Sequence, residues 1–326
     1  MNNKVMIFAE VVDGEINQSF YELLTKAKTI FDDKETNYAA LVLGKNLKSP
    51  IAKIKESGVD EILYLDDECL EFFHPDYYKA AANSAVEQYD PDVLLIGATS
   101  AGEELGPSLG FLLNTGVAAH CTDINTTSDG KLAQMVPAFG GKVIGEIFTP
   151  KTKPQIISVK PGMFKANKQE AKDPVLSEID SSVLDQTNSS INFLNVKKDE
   201  VKRMPLDKAD IVVCGGYGMG NSKSWETIEN VADAMGGAVG CTRPVVDAGL
   251  MEDENNMIGT SGKSIRPKVY LGAGIGGATH HVCGMKDAGL IININKDPDA
   301  ECFIASDYKI VGDGAAILEA ILDKLS

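Results

Sequence analysis

The sequence predicts an α/β protein of two domains. The first should have a parallel sheet with an antiparallel extension, and the second a Rossmann-like parallel sheet. Three observations predict this: β-branched runs alternate with helical patterns, a polar stretch divides the chain, and glycine-rich turns follow strands of the second half. Such alternation is typical of parallel strands joined by crossover helices. At 326 residues and 44% hydrophobic content, the chain can form two cores.

In the N-terminal half, strands and helices are predicted in turn. Strands are expected at 5–8, 39–43, 61–65 and 93–96, and helices at 20–31, 51–57, 77–89 and from about 102. After residue 114 come short runs at 123–127, 132–136, 143–148 and 156–159, with turns at 128–130 and 140–141. We expect these runs to be antiparallel strands that extend the same sheet.

A polar segment, about 173–207, is rich in Ser, Asn, Asp and Lys and has few apolar residues, so we expect it to be mostly a linker. The predicted domains are therefore 1–200 and 208–326. In the second domain we expect strands at 211–214, 269–271 and 290–294, and helices at 225–235 and 315–325.

Charge and composition exclude several classes of function. The net charge of −16 disfavours nucleic acid and anionic membranes as partners. The chain has no apolar run of the roughly 18–20 residues that a membrane span needs, and its six cysteines form no C-x-x-C pair. We expect a soluble, cytoplasmic protein without a metal site, because the adjacent His280 and His281 point to different sides of a helix.

Three glycine-rich turns lie in the second domain, at 215–220, 259–263 and 272–278. The last follows a strand and opens a helix, so its N–H groups could meet a pyrophosphate. A single such turn is also typical of an ordinary βα connection. All three turns should lie on one edge of the sheet, and neither the Walker pattern nor the nicotinamide fingerprint is present. These features favour a flavin dinucleotide over NAD.

The chain resembles the electron-transfer flavoprotein alpha subunit over essentially its whole length. In the second domain the resemblance is carried by 241–249 (CTRPVVDAG), 260–263 (TSGK), 274–278 (GIGGA), 281–287 (HVCGMKD) and 294–298 (INKDP). In the first it is carried by 8–10 (FAE), 97–100 (GATS), 137–141 (PAFGG) and 161–162 (PG).

The resemblance implies an electron carrier that binds FAD and is not a catalyst by itself. It implies a beta subunit, holding AMP or a second FAD, and an acyl-CoA dehydrogenase-type flavoenzyme as redox partner. One alternative is an NADH-oxidising acyl-CoA reductase complex. In one version of this alternative, the complex is also electron-bifurcating. Another is a nucleotide-binding scaffold that has lost electron transfer. The sequence has no G-x-S-x-G elbow, which argues against a hydrolase.

The resemblance also implies a set of cofactor-binding residues: Thr242, Arg243, Ile258, Gly259, Thr260, Ser261, Gly274, Gly276, Gly277, Ala278, Thr279, His280, His281, Asn295, Asp313 and Gly314. Arg243 and Thr242 would lie near the flavin ring, where a guanidinium favours added negative charge. Ser261, with Thr260 beside it, would lie near the flavin N5 and C4 carbonyl edge. His281 would donate to the C2 carbonyl, Gly276 to Ala278 would approach the ribityl and pyrophosphate groups, and Asn295 and Asp313 would meet the adenosine end.

The chain departs from the family pattern at several positions. Gly276 stands where the family usually has serine, Tyr217 where it has arginine and His280 where it has glutamine. Glu103 and Ser108 stand where relatives often have arginines. The first two changes remove a hydroxyl and a cation from the cofactor site, although Lys223 could act as a point charge in place of the arginine.

Overall fold

The chain forms two compact units in the computed structural model. The first unit takes in the described residues up to Asn195, and the second takes in those from Val196 onward. The structure describes residues 4–31, 35–128, 131–138, 143–196, 204–251 and 254–325. No helix within these ranges combines the length and apolar character needed to cross a bilayer.

The first unit is built on a seven-stranded parallel sheet. The described strands of the whole unit are β1 (Lys4–Phe8), β2 (Val11–Val12), β3 (Glu15–Ile16), β4 (Asn37–Gly44), β5 (Glu61–Asp66), β6 (Val93–Gly97), β7 (Val117–Cys121), β8 (Asp123–Thr126), β9 (Leu132–Ala138), β10 (Val143–Ile147), β11 (Gln155–Val159) and β12 (Val175–Glu178). Its helices are α1 (Gln18–Ile30), α2 (Lys48–Lys55), α3 (Pro75–Tyr89), α4 (Ser100–Leu112) and α5 (Ser182–Asp185). The strand order is β12-β5-β4-β1-β6-β11-β7.

Hydrophobic cores cover both faces of this sheet. In β1, Val5 and Ile7 belong to one core, while Met6 and Phe8 belong to the other. Successive strand residues point to opposite faces, so a strand that is apolar throughout indicates a sheet covered on both sides. The Asn17 side chain caps α1 by accepting from the Ser19 N–H at 3.1 Å, and the apolar face of this helix packs on the sheet.

The antiparallel extension differs in detail from the prediction. β8, β9 and β10 form a separate three-stranded antiparallel sheet, whereas β11 pairs in parallel with β6 and β7 in the main sheet. The expectation that 156–159 is antiparallel was therefore wrong. Ile156, Ile157 and Val159 are all buried, and such unbroken burial is typical of a covered parallel strand. The turns expected at 128–130 and 140–141 lie largely outside the described residues.

The segment expected to be mostly a linker, about 173–207, is ordered in its first part. β12 pairs in parallel with β5 at the sheet edge, and α5 follows it. Ile179 and Leu184 are buried and supply the apolar anchors that the polar composition obscured. The linker prediction is corrected accordingly: 175–185 belong to the first unit.

The second unit holds a five-stranded parallel sheet. Its described strands are β13 (Ile211–Gly215), β14 (Ala238–Cys241), β15 (Val269–Ala273), β16 (Ile291–Asn295) and β17 (Tyr308–Val311), and its helices are α6 (Ser222–Ala234), α7 (Arg243–Asp247), α8 (Thr279–Val282) and α9 (Gly314–Leu325). The strand order is β14-β13-β15-β16-β17. The predicted α/β class with its parallel sheets is confirmed. β14 and β17, of four residues each, were not predicted as strands.

The strand order places a topological switch point between β13 and β15. From β13 the chain moves outward to β14 and then crosses back to β15 on the other side. In open α/β sheets, ligands bind beyond the carboxyl ends of the strands at such a point. The glycine-rich turns after β13 and β15 lie at this position.

Candidate cofactor site

The two glycine-rich turns at the switch point contact each other through their backbones. The Gly216 N–H donates to the Ala273 carbonyl at 2.8 Å, and the Gly218 N–H donates to the Gly274 carbonyl at 3.0 Å. A Cβ on Gly216 would lie 2.1 Å from the Gly274 oxygen. Only glycine permits this approach.

The turn after β15 also packs against the segment that follows β16. The Cys302 N–H donates to the Gly276 carbonyl at 3.1 Å. Gly277 has φ +98°, and a Cβ there would lie 1.9 Å from the Cys302 nitrogen. The turn is therefore fixed between two neighbouring segments before any ligand binds.

Gly276, in contrast, faces open space. It is exposed, and a Cβ added there would meet no atom within 4 Å. Within the described part of the chain, the N–H groups of residues 276–280 donate to no protein acceptor. An open surface lined by free N–H donors fits the phosphates and ribityl chain of a dinucleotide. α8 has only four residues, so these individual donors matter more here than a helix macrodipole.

The loop at 258–263 is tied to the same region. The Ile258 N–H donates to the Cys241 carbonyl at 2.9 Å, and the Thr260 N–H donates to the His280 carbonyl at 2.9 Å. The Thr260 hydroxyl lies 3.1 Å from Nδ1 of His280. The structure therefore brings Thr260 and His280 together, and both are exposed, as is Ser261.

Thr242 and Arg243 follow β14. The Thr242 side chain is buried, and its N–H donates to the Gly215 carbonyl at 3.2 Å, next to the first glycine-rich turn. Arg243 is the first residue of α7, and its side chain is 67% exposed. Its Nε lies 3.6 Å from the exposed Asp247 carboxylate, one turn later. Because water surrounds this pair, the guanidinium can exchange Asp247 for a ligand at little cost.

His281 lies in the core, with both ring nitrogens bonded to protein groups. Nδ1 is 3.0 Å from the Ile258 carbonyl, and Nε2 is 2.8 Å from the Tyr270 hydroxyl. A carbonyl only accepts, so Nδ1 carries the proton and Nε2 accepts from Tyr270. Burial lowers the pKa of His281, although the hydrogen bond to Ile258 opposes this. Donation from this ring to a flavin carbonyl, the role implied by the resemblance, stays a prediction; it would require the ring to exchange one of these two protein partners for the ligand.

The residues expected at the adenosine end also make protein contacts. Asn295 donates to the Ile275 carbonyl at 2.7 Å, while its Oδ1 accepts from the Asp297 N–H at 3.0 Å. Asp313 accepts from the Ala316 N–H at 3.1 Å, so it stabilises the start of α9. Its hydrogen bond with Lys296 is the main cause of its lowered pKa. Asn295 thus supports the turn after β15.

Gly314 connects the far strand of the sheet to the first glycine-rich turn. A Cβ there would lie 2.8 Å from the Met219 sulfur. Tyr217, in the same turn, is 62% exposed and free to contact a ligand, and Lys223 is exposed near the start of α6. The sequence analysis did not identify Tyr270, although a tyrosine within an apolar strand signals a buried hydroxyl that needs a partner.

Comparison with known proteins agrees with this geometry. The Electron transfer flavoprotein domain matches residues 5–184, and the Electron transfer flavoprotein FAD-binding domain matches residues 205–286. The electron transfer flavoprotein subunit alpha of Thermoanaerobacterium thermosaccharolyticum is 33% identical over 98% of this chain and 97% of its own length. The same subunit of Megasphaera elsdenii is 32% identical over 98% of this chain and 96% of its own length. Protein FixB of Clostridium saccharobutylicum is 33% identical over 98% of this chain and 95% of its own length. The chain therefore belongs to the electron transfer flavoprotein family as an alpha subunit, and its second unit is the FAD-binding domain, with FAD as its cofactor.

Proposed function

We propose that this chain is the FAD-binding half of a cytoplasmic heterodimer that carries electrons to or from an acyl-CoA dehydrogenase-type flavoenzyme. The observation that carries the proposal is the row of free N–H groups at 276–280 on the open side of the turn after β15. This turn belongs to the part of the chain that matches the family's FAD-binding domain.

Different residues around this turn would contact different parts of the cofactor. The N–H groups of 276–280 would hold the phosphates, while Arg243 and Ser261 would approach the flavin ring. FAD supplies the redox chemistry when it is bound. The protein positions the flavin and, through the Arg243 guanidinium, stabilises the negative charge that reduction adds.

The small antiparallel sheet of the first unit supports a heterodimer. β10 is an edge strand, and Val143 and Ile144 are 51% and 63% exposed. Neighbouring strand residues point to opposite faces, so apolar side chains are open to water on both. Edge strands with exposed apolar residues favour pairing with another chain. We place the beta subunit here.

The test is the nucleotide content of the complex purified with its beta subunit, followed by anaerobic titration with NADH. One FAD, one AMP and no reaction with NADH is the result expected of a simple electron shuttle. A second FAD and bleaching by NADH would instead support the NADH-oxidising alternative. A correctly assembled heterodimer that binds no flavin would contradict both.

A further inference from the structure

The two faces of the first unit's parallel sheet differ in the side chains that they expose. α1 and α2 cover one face, whereas α3, α4 and α5 cover the other. Neither α1 nor α2, both described in full, exposes a large apolar side chain. At the end of α4, in contrast, Phe111 is 91% exposed and Leu112 is 50% exposed. Isolated exposed apolar residues are ordinary, but a group of them on one face indicates a surface that contacts another chain.

The segment that follows α5 adds further apolar side chains to the same face. Residues 186–196 (QTNSSINFLNV) include no charged residue, in a chain of which 24% is charged. The Phe193 ring stacks on the Phe72 ring, just before α3, with centroids 4.7 Å apart and planes 7° apart. The segment is therefore held against the α3 side of the sheet. Nevertheless Phe193 is 53% exposed and Leu194 is 89% exposed, so their outer surfaces are uncovered.

A groove with a volume of about 400 Å³ joins these two apolar groups. It is lined by α3, by Leu112 at the end of α4, and by Val183 and Thr187 of α5 and the segment after it. A concave site flanked by exposed aromatic and aliphatic side chains is the shape that receives an anchoring side chain of another protein. The face thus combines a recess with apolar side chains on either side.

The end of α4 also adjoins the small antiparallel sheet. The Thr115 hydroxyl donates to the Thr152 hydroxyl at 2.7 Å, and a Cβ on Gly116 would lie 2.7 Å from the Thr149 side chain. Thr149 comes directly after Phe148, which follows β10 and is 40% exposed. The exposed apolar residues at the end of α4 are therefore neighbours of those on β10, and the two groups can belong to one continuous interface.

We propose that this α4 face, made apolar by Phe72, Phe111, Leu112, Phe193 and Leu194, binds the beta subunit together with β10. The inference rests on the proposed function and extends the interface beyond the small sheet. The chemistry of the face selects the occupant: permanent partners bury large apolar surfaces that are poor in charge, whereas transient redox partners meet through smaller and more polar ones.

The first test measures the dissociation constant of the heterodimer by sedimentation over a dilution series. Phe111→Asp and Leu194→Asp should each weaken assembly at least about tenfold, because a charge would be buried in an apolar contact. Both side chains are about nine-tenths exposed within the chain, so its fold does not depend on them. Phe111→Leu keeps an apolar contact and should assemble nearly as the wild type does.

Val12→Asp is the matched control. Val12 is 49% exposed in the β2–β3 hairpin, which an ion pair between Glu15 and Lys53 joins to α2 on the opposite side of the sheet. The same charge introduced there should leave the dissociation constant of the heterodimer unchanged. Equal weakening by Val12→Asp and Phe111→Asp would show a general effect of added charge and would overturn the proposal.

Hydroxyl-radical labelling of the intact wild-type heterodimer gives a readout without mutation. Phe111 should be oxidised far more slowly than its exposure within the chain predicts, once rates are corrected for the intrinsic reactivity of each residue type. Tyr308, 61% exposed in the second unit, is the reference for a side chain that stays open to water. Labelling of Phe111 as complete as that of Tyr308 would show that the beta subunit does not cover this face.

Other occupants of the face give different results. If Phe111→Asp leaves the heterodimer intact but dissociates a larger assembly, the face binds a second copy of the complex. If it leaves assembly intact and slows electron exchange with the dehydrogenase, the face binds the redox partner. Either outcome overturns the proposal. A heterodimer that assembles through this face but takes up no FAD would contradict the proposed function alone.

Discussion

Two neighbouring glycines at the cofactor site have opposite surroundings. A Cβ on Gly277 would meet the Cys302 backbone at 1.9 Å, whereas one on Gly276 would meet nothing within 4 Å. Glycine is therefore required by the fold at Gly277. At Gly276 it leaves space that the ligand can use.

Gly276→Ala and Gly277→Ala form a matched pair of variants. We expect Gly276→Ala to leave apoprotein stability within about 0.5 kcal/mol and FAD binding nearly unchanged, because the added methyl group enters open space where the family usually has the larger serine side chain. Gly277→Ala should destabilise the protein by at least about 1–3 kcal/mol through its backbone conformation alone. Chemical denaturation and flavin titration measure both effects. Equal loss of stability in the two variants would contradict this account.

Arg243 provides a second prediction at the scale of one side chain. Arg243→Ala should leave stability nearly unchanged, because its ion pair with Asp247 is exposed. The midpoint potential of the bound flavin should fall by about 30–60 mV, as expected if a charge-assisted interaction of roughly 1.4–3 kcal/mol is lost. Lys268→Ala, which breaks another exposed ion pair just before β15, is the control. Spectroelectrochemistry that shows the same potential in both variants would rule out the electrostatic role.

At this scale, the sequence predicted where the loops of the site lie, while the roles of their side chains stay predictions. The glycine-rich turns, Thr260 and Arg243 lie at the edge of the second sheet as expected. The role of His281 toward the flavin stays a prediction, because its tautomer depends on the Tyr270 hydroxyl, a contact made across the fold. A linear pattern contains no information about which nitrogen is already bonded.

At the scale of elements, strands were predictable where burial was long and continuous, as in β1, β4 and β6. β14 is too short to show a period, and β17 is largely exposed. The direction of β11 is set by its neighbours in the sheet and not by its own residues. β12 was missed because its apolar residues are exposed in this unit.

The edge strand β10 gives a prediction about assembly. Ile144→Asp places a charge on a side chain that is 63% exposed, so the first unit should keep its stability. Binding of the beta subunit should weaken by about 2 kcal/mol or more if this strand lies in the interface. Sedimentation or titration of the separately purified subunits measures the affinity. Ile304→Asp, at an 88% exposed position of the second unit, is the control and should assemble normally. Unchanged assembly of the Ile144 variant would move the interface elsewhere.

The segment after α5 gives a prediction about pH. The Ser189 hydroxyl donates to the Asp76 carboxylate on α3 at 2.8 Å, the main cause of the lowered pKa of Asp76. A lowered pKa means that this contact stabilises the fold above the ordinary carboxyl pKa of about 3.9 and is lost as pH falls through the lower, folded value. The protection factors for hydrogen exchange at residues 187–191, which correct for the slower intrinsic exchange in acid, should therefore fall as pH drops through that value. Asp76→Ala should show the same low protection factors at neutral pH, and wild-type protection in this variant would contradict the assignment.

At the scale of the whole molecule, the net charge of −16 should govern encounters with redox partners. Electron exchange with a dehydrogenase that presents a basic face should slow as salt rises from about 0.01 M to 0.15 M, because the Debye length shrinks from about 30 Å to about 8 Å. Stopped-flow measurement of the intact heterodimer tests this, with an uncharged small-molecule acceptor as control. A rate that is independent of salt would show that the acidic surface is not used for docking.

The backbone contact between the two glycine-rich turns also limits how this site can diversify. A side chain on Gly216, Gly218 or Gly274 would collide with the backbone of the other turn. Substitution there should therefore disrupt the site and not merely change its properties. Tyr217 lies between Gly216 and Gly218, and Gly276 lies just after Gly274, yet both positions face open space. A saturation library restricted to these two codons would therefore retain folded members at high frequency and still sample new flavin potentials.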